Sequence, residues 1–598
     1  MSDPLEKPHG FLAELKRRKV YRVAIAYVAV TFVGLEAVDL LIPATTLPAW
    51  SGTFFLAIVI IGFPVALVVA WAFELTPEGV RKTPSVGQEG EPTASPERRN
   101  RLTAIATLGL LAVAAAAGWY VVGRGGGSEE EDISDRSIAV LPFETLGSQE
   151  TTPFTDGVHV DLLTRLSHVS DLSVISRTSV MQYRSPAKSL RAIAAELGVA
   201  WVVRGEVQEA GDQVQVNARL VNARTDRQVW AESYRRQLTA ANLFEIQAEI
   251  TRQIARALET HLSPREELQV RRTPTESLDA YRLYTQGREL LDRRTEDAMG
   301  RALDYFQRAI ADDSSYALAW VGVADALSLM HAYAVADSFL PRAESAVLRA
   351  LELDPESAEA HASLGLLYSL RFDGPAAIRE LTRSVELRPG YAEAHSWLAW
   401  VHQLLGHPEE ALESAKRGVE LDPLSPEAIG NLSLAYLGIG EPEKALEEAR
   451  RIHEIQASWA TASFQEGVSL YRLGRFTEAT AILEDLVVPW TGSGLLATLA
   501  LIHVASGDTT EARTLLAQLE EQNRPFAAGL VHVALGEVDQ AFDAFQTIDA
   551  WSEWPSLAVR SFYGDLWGPL RDDPRYEELV REVDRYWGQE GSDVRPPR

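Results

Sequence analysis

The chain of 598 residues contains no cysteine and only 4 methionines. The first absence excludes a disulfide framework, thiolate-ligated zinc, iron–sulfur clusters and a thiol nucleophile. It leaves the redox compartment open, because a chain without thiols suits either. An excess of basic charge is also missing: 57 Lys and Arg stand against 84 Asp and Glu, a net of −27. General nucleic-acid binding depends on basic side chains that neutralise phosphates, so no nucleic-acid partner is expected. The chain carries no P-loop, no His-Glu-x-x-His pair and no Gly-x-Ser-x-Gly elbow. Ser185-Pro-Ala-Lys188 fits the short Ser-x-x-Lys pattern, but the other signatures of that chemistry are not beside it. No catalytic activity, metal or cofactor is therefore expected.

What is present divides near residue 123. Residues 1–122 carry 11 basic and 10 acidic side chains, whereas residues 123–598 carry 46 and 74. The first part holds three long apolar runs, 23–42 (VAIAYVAVTFVGLEAVDLLI), 53–72 (TFFLAIVIIGFPVALVVAWA) and 102–122 (LTAIATLGLLAVAAAAGWYVV). Each is long enough to cross about 30 Å of hydrocarbon as a helix. Three transmembrane helices in contact with a lipid bilayer are therefore expected. Lys16, Arg17, Arg18, Lys19 and Arg22 precede the first run, and Arg81, Lys82, Arg98, Arg99 and Arg101 lie between the second and third. Read by the positive-inside rule, this predicts a multi-pass protein of the bacterial inner membrane. Its N-terminus would be cytoplasmic and residues 123–598 periplasmic. Glu36 and Asp39 fall within the first run; either they reach the interface or they act as intramembrane coupling groups.

Beyond the expected anchor, 137–143 (SIAVLPF) reads as a buried strand, followed by a helical pattern over 154–168 and a second strand at 172–175. A short helix over 189–197 is stopped by Gly198, strands at 200–207 and 214–221 flank Gly211-Asp212, and a long amphipathic helix covers 242–262. SIAVLPF, FTDGVHVDLLTRLSHVSDLSVISRTS, IAAELGVAWVVRGEV, AGDQVQVNARLVNARTDRQVWAESY and FEIQAEITRQIARAL together resemble the TolB-like amino-terminal domain. The segments FLAELKRRKVYRVAIAYV, LPAW and GFPVALVVAWAFELTPEGV resemble a leader found on proteobacterial proteins that join this domain to helical repeats. Relatives in that group also carry a CadC-like winged helix or a nucleotide-cyclase domain, and this chain departs from them by having neither. The resemblance implies an envelope protein and supplies no catalytic residues.

The remainder repeats. Ala343, Ala377, Ala411, Ala445 and Ala479 are 34 apart, as are Ala360, Ala394, Ala428 and Ala462; Gly406, Gly440 and Gly474; and Pro355, Pro389 and Pro423. This period and pattern resemble the tetratricopeptide repeat (TPR), a helix pair whose small residues allow close packing and whose proline follows the second helix. Stacked pairs bury a continuous core and present a concave surface. Leu366, Trp400, Leu434 and Val468 share one position of the first helix and are expected to line that groove, with Gln403 and Asn431 as further contacts. Asn431 matches a carboxylate-clamp position, but the accompanying Lys and Arg are not where such a clamp needs them. His361 and His395 occupy equivalent places in neighbouring repeats, which reads as packing rather than as a metal pair.

The expected fold class is multidomain: three transmembrane helices, a small α/β domain of TolB-like type and an all-α TPR solenoid. The boundaries read as a basic N-terminus 1–22, an anchor 23–122, a linker 123–135, an α/β domain 136–262, a linker 263–276, a capped superhelix 277–583 and a polar tail 584–598. The expected function is a non-catalytic, membrane-anchored periplasmic scaffold. Its groove would grip a protein or peptide while the α/β domain docks an envelope protein. The alternative is a transmembrane sensor that passes an envelope signal through the spans to a separate cytoplasmic partner.

Overall fold

The computed structural model describes residues 73–76, 79–82, 134–146, 152–184, 188–334, 339–486, 492–548 and 565–586. The chain divides into two compact units, Met1–Glu130 and Glu131–Arg598. In the first, β1 (Phe73–Thr76) and β2 (Gly79–Lys82) pair antiparallel, with Phe73 opposite Lys82 and Thr76 opposite Gly79.

No helix among the described residues is long and apolar enough to cross a membrane. This corrects the expected fold class, which becomes a small sheet domain joined to a helical solenoid. It also removes the basis for a multi-pass inner-membrane location with a periplasmic C-terminal part. One of the longest described helices shows the physical reason: it buries one face against neighbours and carries charge on the other. Ala240–Ala257 buries Leu243, Phe244, Ile246, Ile250 and Ile254 and carries Glu245, Glu249, Arg252 and Arg256 elsewhere on its surface. The runs 23–42, 53–72 and 102–122, with Glu36 and Asp39, lie outside the described residues.

The second unit begins with a sheet of β3 (Ser137–Val140), β4 (Glu144–Leu146), β5 (Ser173–Val174), β6 (Trp201–Ala210), β7 (Gln213–Asn222) and β8 (Arg227–Gln237). Its order is β5-β3-β6-β7-β8, with β4 pairing farther along β6. Strand β3 is parallel to both neighbours and every one of its residues is buried, as its short apolar run requires. Strand β7 alternates: Val214, Val216, Ala218 and Leu220 are buried while Gln215, Asn217 and Arg219 are half-exposed. Gly211, with φ of 65°, makes the β6–β7 turn in a conformation that a side chain would strain. Helices α1 (Thr152–Ser167), α2 (Arg177–Met181), α3 (Leu190–Glu196) and α4 (Ala240–Ala257) complete this part.

The segment expected as a second linker is ordered. It forms α5 (Pro264–Val270), opened by a capping box between Ser263 and Glu266, with Val270 fully buried. Next come eight helix pairs among the described residues. They are α6 (Leu278–Leu291) with α7 (Glu296–Asp312), α8 (Ala317–Ala334) with α9 (Leu340–Leu353), α10 (Ala358–Leu370) with α11 (Gly374–Leu387), and α12 (Ala392–Leu404) with α13 (Pro408–Leu421). The array continues with α14 (Pro426–Gly438) and α15 (Pro442–Ile455), α16 (Ala460–Arg472) and α17 (Phe476–Glu484), α18 (Gly492–Ser506) and α19 (Thr509–Glu521), and α20 (Pro525–Leu535) and α21 (Val538–Gln546). A 3-10 turn, Asp565–Leu570, and α22 (Pro574–Tyr586) follow, and Trp567 stacks on Phe545 of the last pair at 5.7 Å.

The periodic residues do what their size suggests. Ala343, Ala377, Ala411, Ala445 and Ala479 are each 0% exposed. A Cβ on Gly365 would stand 2.6 Å from Leu381 Cγ, so the two helices of that pair meet where no side chain fits. His361 and His395 each donate from Nε2 to the carbonyl of the proline six residues earlier, at 3.2 and 3.1 Å. His361 also meets Glu380 Oε2 through Nδ1 at 2.8 Å, so the two share the proline contact but not every partner.

One histidine gives a direct pH prediction. His159 is fully buried under the sheet and its Nε2 donates to the Val140 carbonyl at 2.8 Å. Burial lowers its pKa from 6.5 to about 4. The neutral ring is favoured in the folded state, so its contribution is complete above pH 6.5 and is lost as the pH falls toward 4. Between pH 7 and 5 the loss should be about 2 kcal/mol. Urea unfolding of the parent and of His159→Gln at both pH values tests this: the variant's decline should be smaller by that amount, and equal declines would refute it.

Candidate protein-binding surface

First helices of successive pairs touch one another, which forms the inner wall of the array. Of the six residues expected to line the groove, the structure leaves one large side chain open. Trp400 is 41% exposed, while Val468 is 2% and Gln403 3% exposed. Leu366, Asn431 and Leu434 are half-buried.

The amides are used inside the wall. Gln403 on α12 donates to the Leu434 carbonyl on α14 at 3.3 Å, and Asn431 on α14 donates back to the Ser396 carbonyl at 3.0 Å. Gln465 on α16 donates to the Gly430 carbonyl at 3.2 Å, so α14 is stitched to both neighbours. Gly438 makes room for this, since a Cβ there would lie 3.0 Å from Gln403 Nε2. Period and helix face could not reveal that the neighbouring helix takes up these amide N–H groups.

A second surface escaped the sequence reading. Five second helices end on cap residues of similar φ, between −137° and −144°: Asp313, Asp354, Arg388, Asp422 and Gln456. These caps form a ledge along one edge of the solenoid, and the α/β domain with its trailing strap, residues 263–277, runs along the first four. Thr275 Oγ1 donates to Asp313 at 2.5 Å, and Arg272 pairs with Asp354 at 2.5 Å. The Ser167 carbonyl accepts from Gly390 N at 3.3 Å beside the third cap, and Ser179 N donates to Asp422 Oδ1 at 3.1 Å. The one legible signal was the Asp-Pro and Arg-Pro steps ahead of Pro355, Pro389 and Pro423.

Deeper in this joint, Tyr281 of α6 is 0% exposed and belongs to the core of the sheet domain, edge-on to Phe154 at 6.2 Å and Phe244 at 5.3 Å. Gly157 permits that approach: a Cβ there would lie 2.3 Å from Thr285 Cγ2. Arg165, 5% exposed, donates to the Gln247 side chain at 3.3 Å and to the Val270 and Arg272 carbonyls, tying the strap to α1 and α4. Between α1, the strap and the ledge lies a cleft of about 650 Å³, with Asp161, His168, Glu276, Asp312 and Glu359 among its lining. Burial pushes the Asp161 carboxyl up to about 6 and the His168 ring down to about 4. Most of the acids along the cleft already have donors: Ser277 serves Asp312, Arg265 serves Glu356 and Arg388 serves Glu359. The cleft is therefore a polar joint with its groups largely satisfied.

Comparison with known proteins finds a match in each part. Residues 134–277 match a family model described as the second domain of HilA/YgeH-like transcriptional regulators, and residues 392–425 match the tetratricopeptide repeat. The first match runs through the strap, the stretch that the structure ties to the α/β domain. The description it carries differs from the TolB-like resemblance. A curated relative from Rhizobium meliloti (strain 1021), named "Putative adenylate cyclase 3", is 36% identical over 156 residues, 26% of this chain and 26% of the relative. The chain thus spans about a quarter of the length of the curated relative it matches. Among solved structures, one from the functional characterization of Pseudomonas aeruginosa pilF covers 33% of this chain and 91% of its own at 18% identity and a TM-score of 0.28. YrrB, a TPR protein with an unusual peptide-binding site, covers 35% and 96% at 20% identity and a TM-score of 0.25. The helical array is a TPR array, on the repeat match and on the helix pairs themselves.

Proposed function

We propose that the chain is a non-catalytic scaffold that grips a protein or peptide through the open part of the TPR groove and presents a second docking surface on the α/β domain. The observation that carries this reading is Trp400, a large apolar side chain 41% exposed on the inner wall, in a layer where Leu366 and Leu434 are half-buried and Val468 is buried. An exposed aromatic ringed by buried or half-buried neighbours is the usual form of a binding anchor. Gln403 and Asn431 then act from behind, fixing the spacing of the helices that flank Trp400. The match of residues 134–277 to the second domain of a regulator supports a regulatory or docking role for the α/β part. Its TolB-like resemblance belongs to the same reading.

A photo-crosslinking phenylalanine derivative placed at Trp400, compared with the same group at exposed Lys416, tests the proposal. Protein cross-links concentrated at position 400 and competed by unlabelled chain are the expected outcome; equal yields at both positions would defeat it. Trp400→Ala should abolish capture of that cross-linked partner. Its unfolding midpoint should shift by no more than about 1 kcal/mol in equivalent stability, since much of the ring is already in water.

A further inference from the structure

The turn between α12 and α13 brings two imidazoles together. Gly406, with φ of 75°, reverses the chain there, and His407 N donates to the His402 carbonyl at 2.9 Å. That bond closes the turn and sets the two rings side by side, with centroids 5.7 Å apart and planes at 48°. Their Nδ1 atoms are 3.4 Å apart. Both residues are half-buried, so neither is shut off from solvent.

Other helix pairs use the same two places differently. In α18–α19 and α20–α21 the histidine faces a carboxylate, His503 Nδ1 with Asp508 at 4.0 Å and His532 Nδ1 with Glu537 at 2.8 Å. In the fourth pair a second imidazole stands in the place of the acid. His407 is also the N-cap of α13, yet its side chain makes no capping bond. Asp373 and Asp508, at the corresponding place of α11 and α19, accept from Ala376 N and Glu511 N. Histidine is not a favoured N-cap residue, so helix capping does not account for His407.

The spacing of the rings separates two readings. An N–H donor and its acceptor settle about 2.9–3.0 Å apart, so 3.4 Å is long for a bond between the imidazoles. Two nitrogens held at about 2.0–2.1 Å by one tetrahedral zinc stand about 3.3–3.4 Å apart. Around a square-planar ion with the same bond lengths they would stand about 2.9 Å apart. Glu409 and Glu410 add negative charge in the first turn of α13, and the charge of Glu410 reaches His402. Among the described residues no group of three or more His, Asp and Glu side chains is placed to hold a metal ion, so protein ligands alone do not complete a site here.

We propose that His402 and His407 bind one zinc ion through their Nδ1 atoms, with water completing a tetrahedral site at the turn of the fourth pair. Binding requires both rings to be unprotonated at Nδ1, and the ion ties the end of α12 to the start of α13. With two protein ligands the ion is exchangeable, and it fastens a turn that the backbone has already formed. His402 lies about 200° round α12 from Trp400, so the site is separate from the surface proposed there and is tested independently of it.

The test uses the full chain without a histidine tag, titrated with zinc chloride in competition with a chromophoric chelator. The chain has 12 histidines, so the difference between proteins decides and not the total uptake. The parent should show one zinc site that His402→Gln and His407→Gln each weaken at least about tenfold, since even groups behind a ligand are worth that much. Replacing an exposed histidine elsewhere, His261→Gln, should leave that site unchanged. Equal zinc affinity in the parent and both ring variants overturns the proposal and leaves a pair of packed rings. An equal loss in His261→Gln overturns it as well. Far-UV circular dichroism checks that each variant folds, and either ring variant decides if the other does not.

Discussion

Tyr281→Ala is expected to lower the stability of the second unit by about 3–5 kcal/mol, the range for removing a fully buried aromatic side chain. The ring rises from the first helix of the solenoid, yet its contacts are Phe154 and Phe244 of the α/β domain. Its loss therefore empties a space shared by two parts of the chain, and neither can collapse into it without the other moving. Denaturant unfolding followed by fluorescence and by far-UV circular dichroism should show one transition splitting into two. Protease resistance of the α/β part should fall at the same time. Tyr281→Phe keeps the ring and should stay within about 1 kcal/mol of the parent. A Tyr281→Ala protein with an unchanged midpoint would mean that the two parts do not share a core.

Glu359→Ala should be nearly as damaging, for an electrostatic reason. Arg388, whose side chain is 6% exposed, donates to the Glu359 carboxylate at 2.5 Å and lies 3.5 Å above the Tyr391 ring. Removing the acid leaves a buried guanidinium with no counter-charge, which costs about 3–5 kcal/mol. Glu359→Gln keeps an acceptor and should lose roughly half as much. Burial alone would raise the Glu359 carboxyl, but Arg388, and His168 after it, hold it below its ordinary value. The sign follows: this carboxylate stabilises the fold fully above its unfolded pKa, and the contribution is lost as the pH falls through the lower folded value. The gap in unfolding midpoint between parent and Glu359→Ala should therefore be widest near pH 7 and narrow progressively as the pH falls below 4.5. A gap independent of pH would contradict the assignment of the effect to the ion pair.

Both residues lie on the joint between the parts, which is where the sequence was least informative. Helix pairs, their spacing and the glycine turns were legible because periodicity reports a local geometry that every copy repeats. Strands β6 and β7 were legible from alternation and from Gly211 for the same reason. The hydrophobic runs before residue 123 invited a membrane reading, but no described helix has the length and apolarity to carry it. The groove residues show the limit in small compass. The register put Gln403, Asn431 and Val468 on one face of the first helices, whereas tertiary packing commits the Gln403 and Asn431 amide N–H groups to carbonyls of neighbouring helices, buries Val468 and leaves Trp400 open.

By itself, then, the sequence determined which segments are helix pairs and which are strands, that the array is acidic, and that no thiol chemistry occurs. Those properties depend on residues close in the chain or on simple counts. Tertiary structure alone decided that the cap residues form a ledge, that α1, α2 and the strap occupy it, and that Tyr281 belongs to two parts at once. Those contacts join residues such as Ser179 and Asp422, 243 positions apart, and no local period encodes a pairing over that separation.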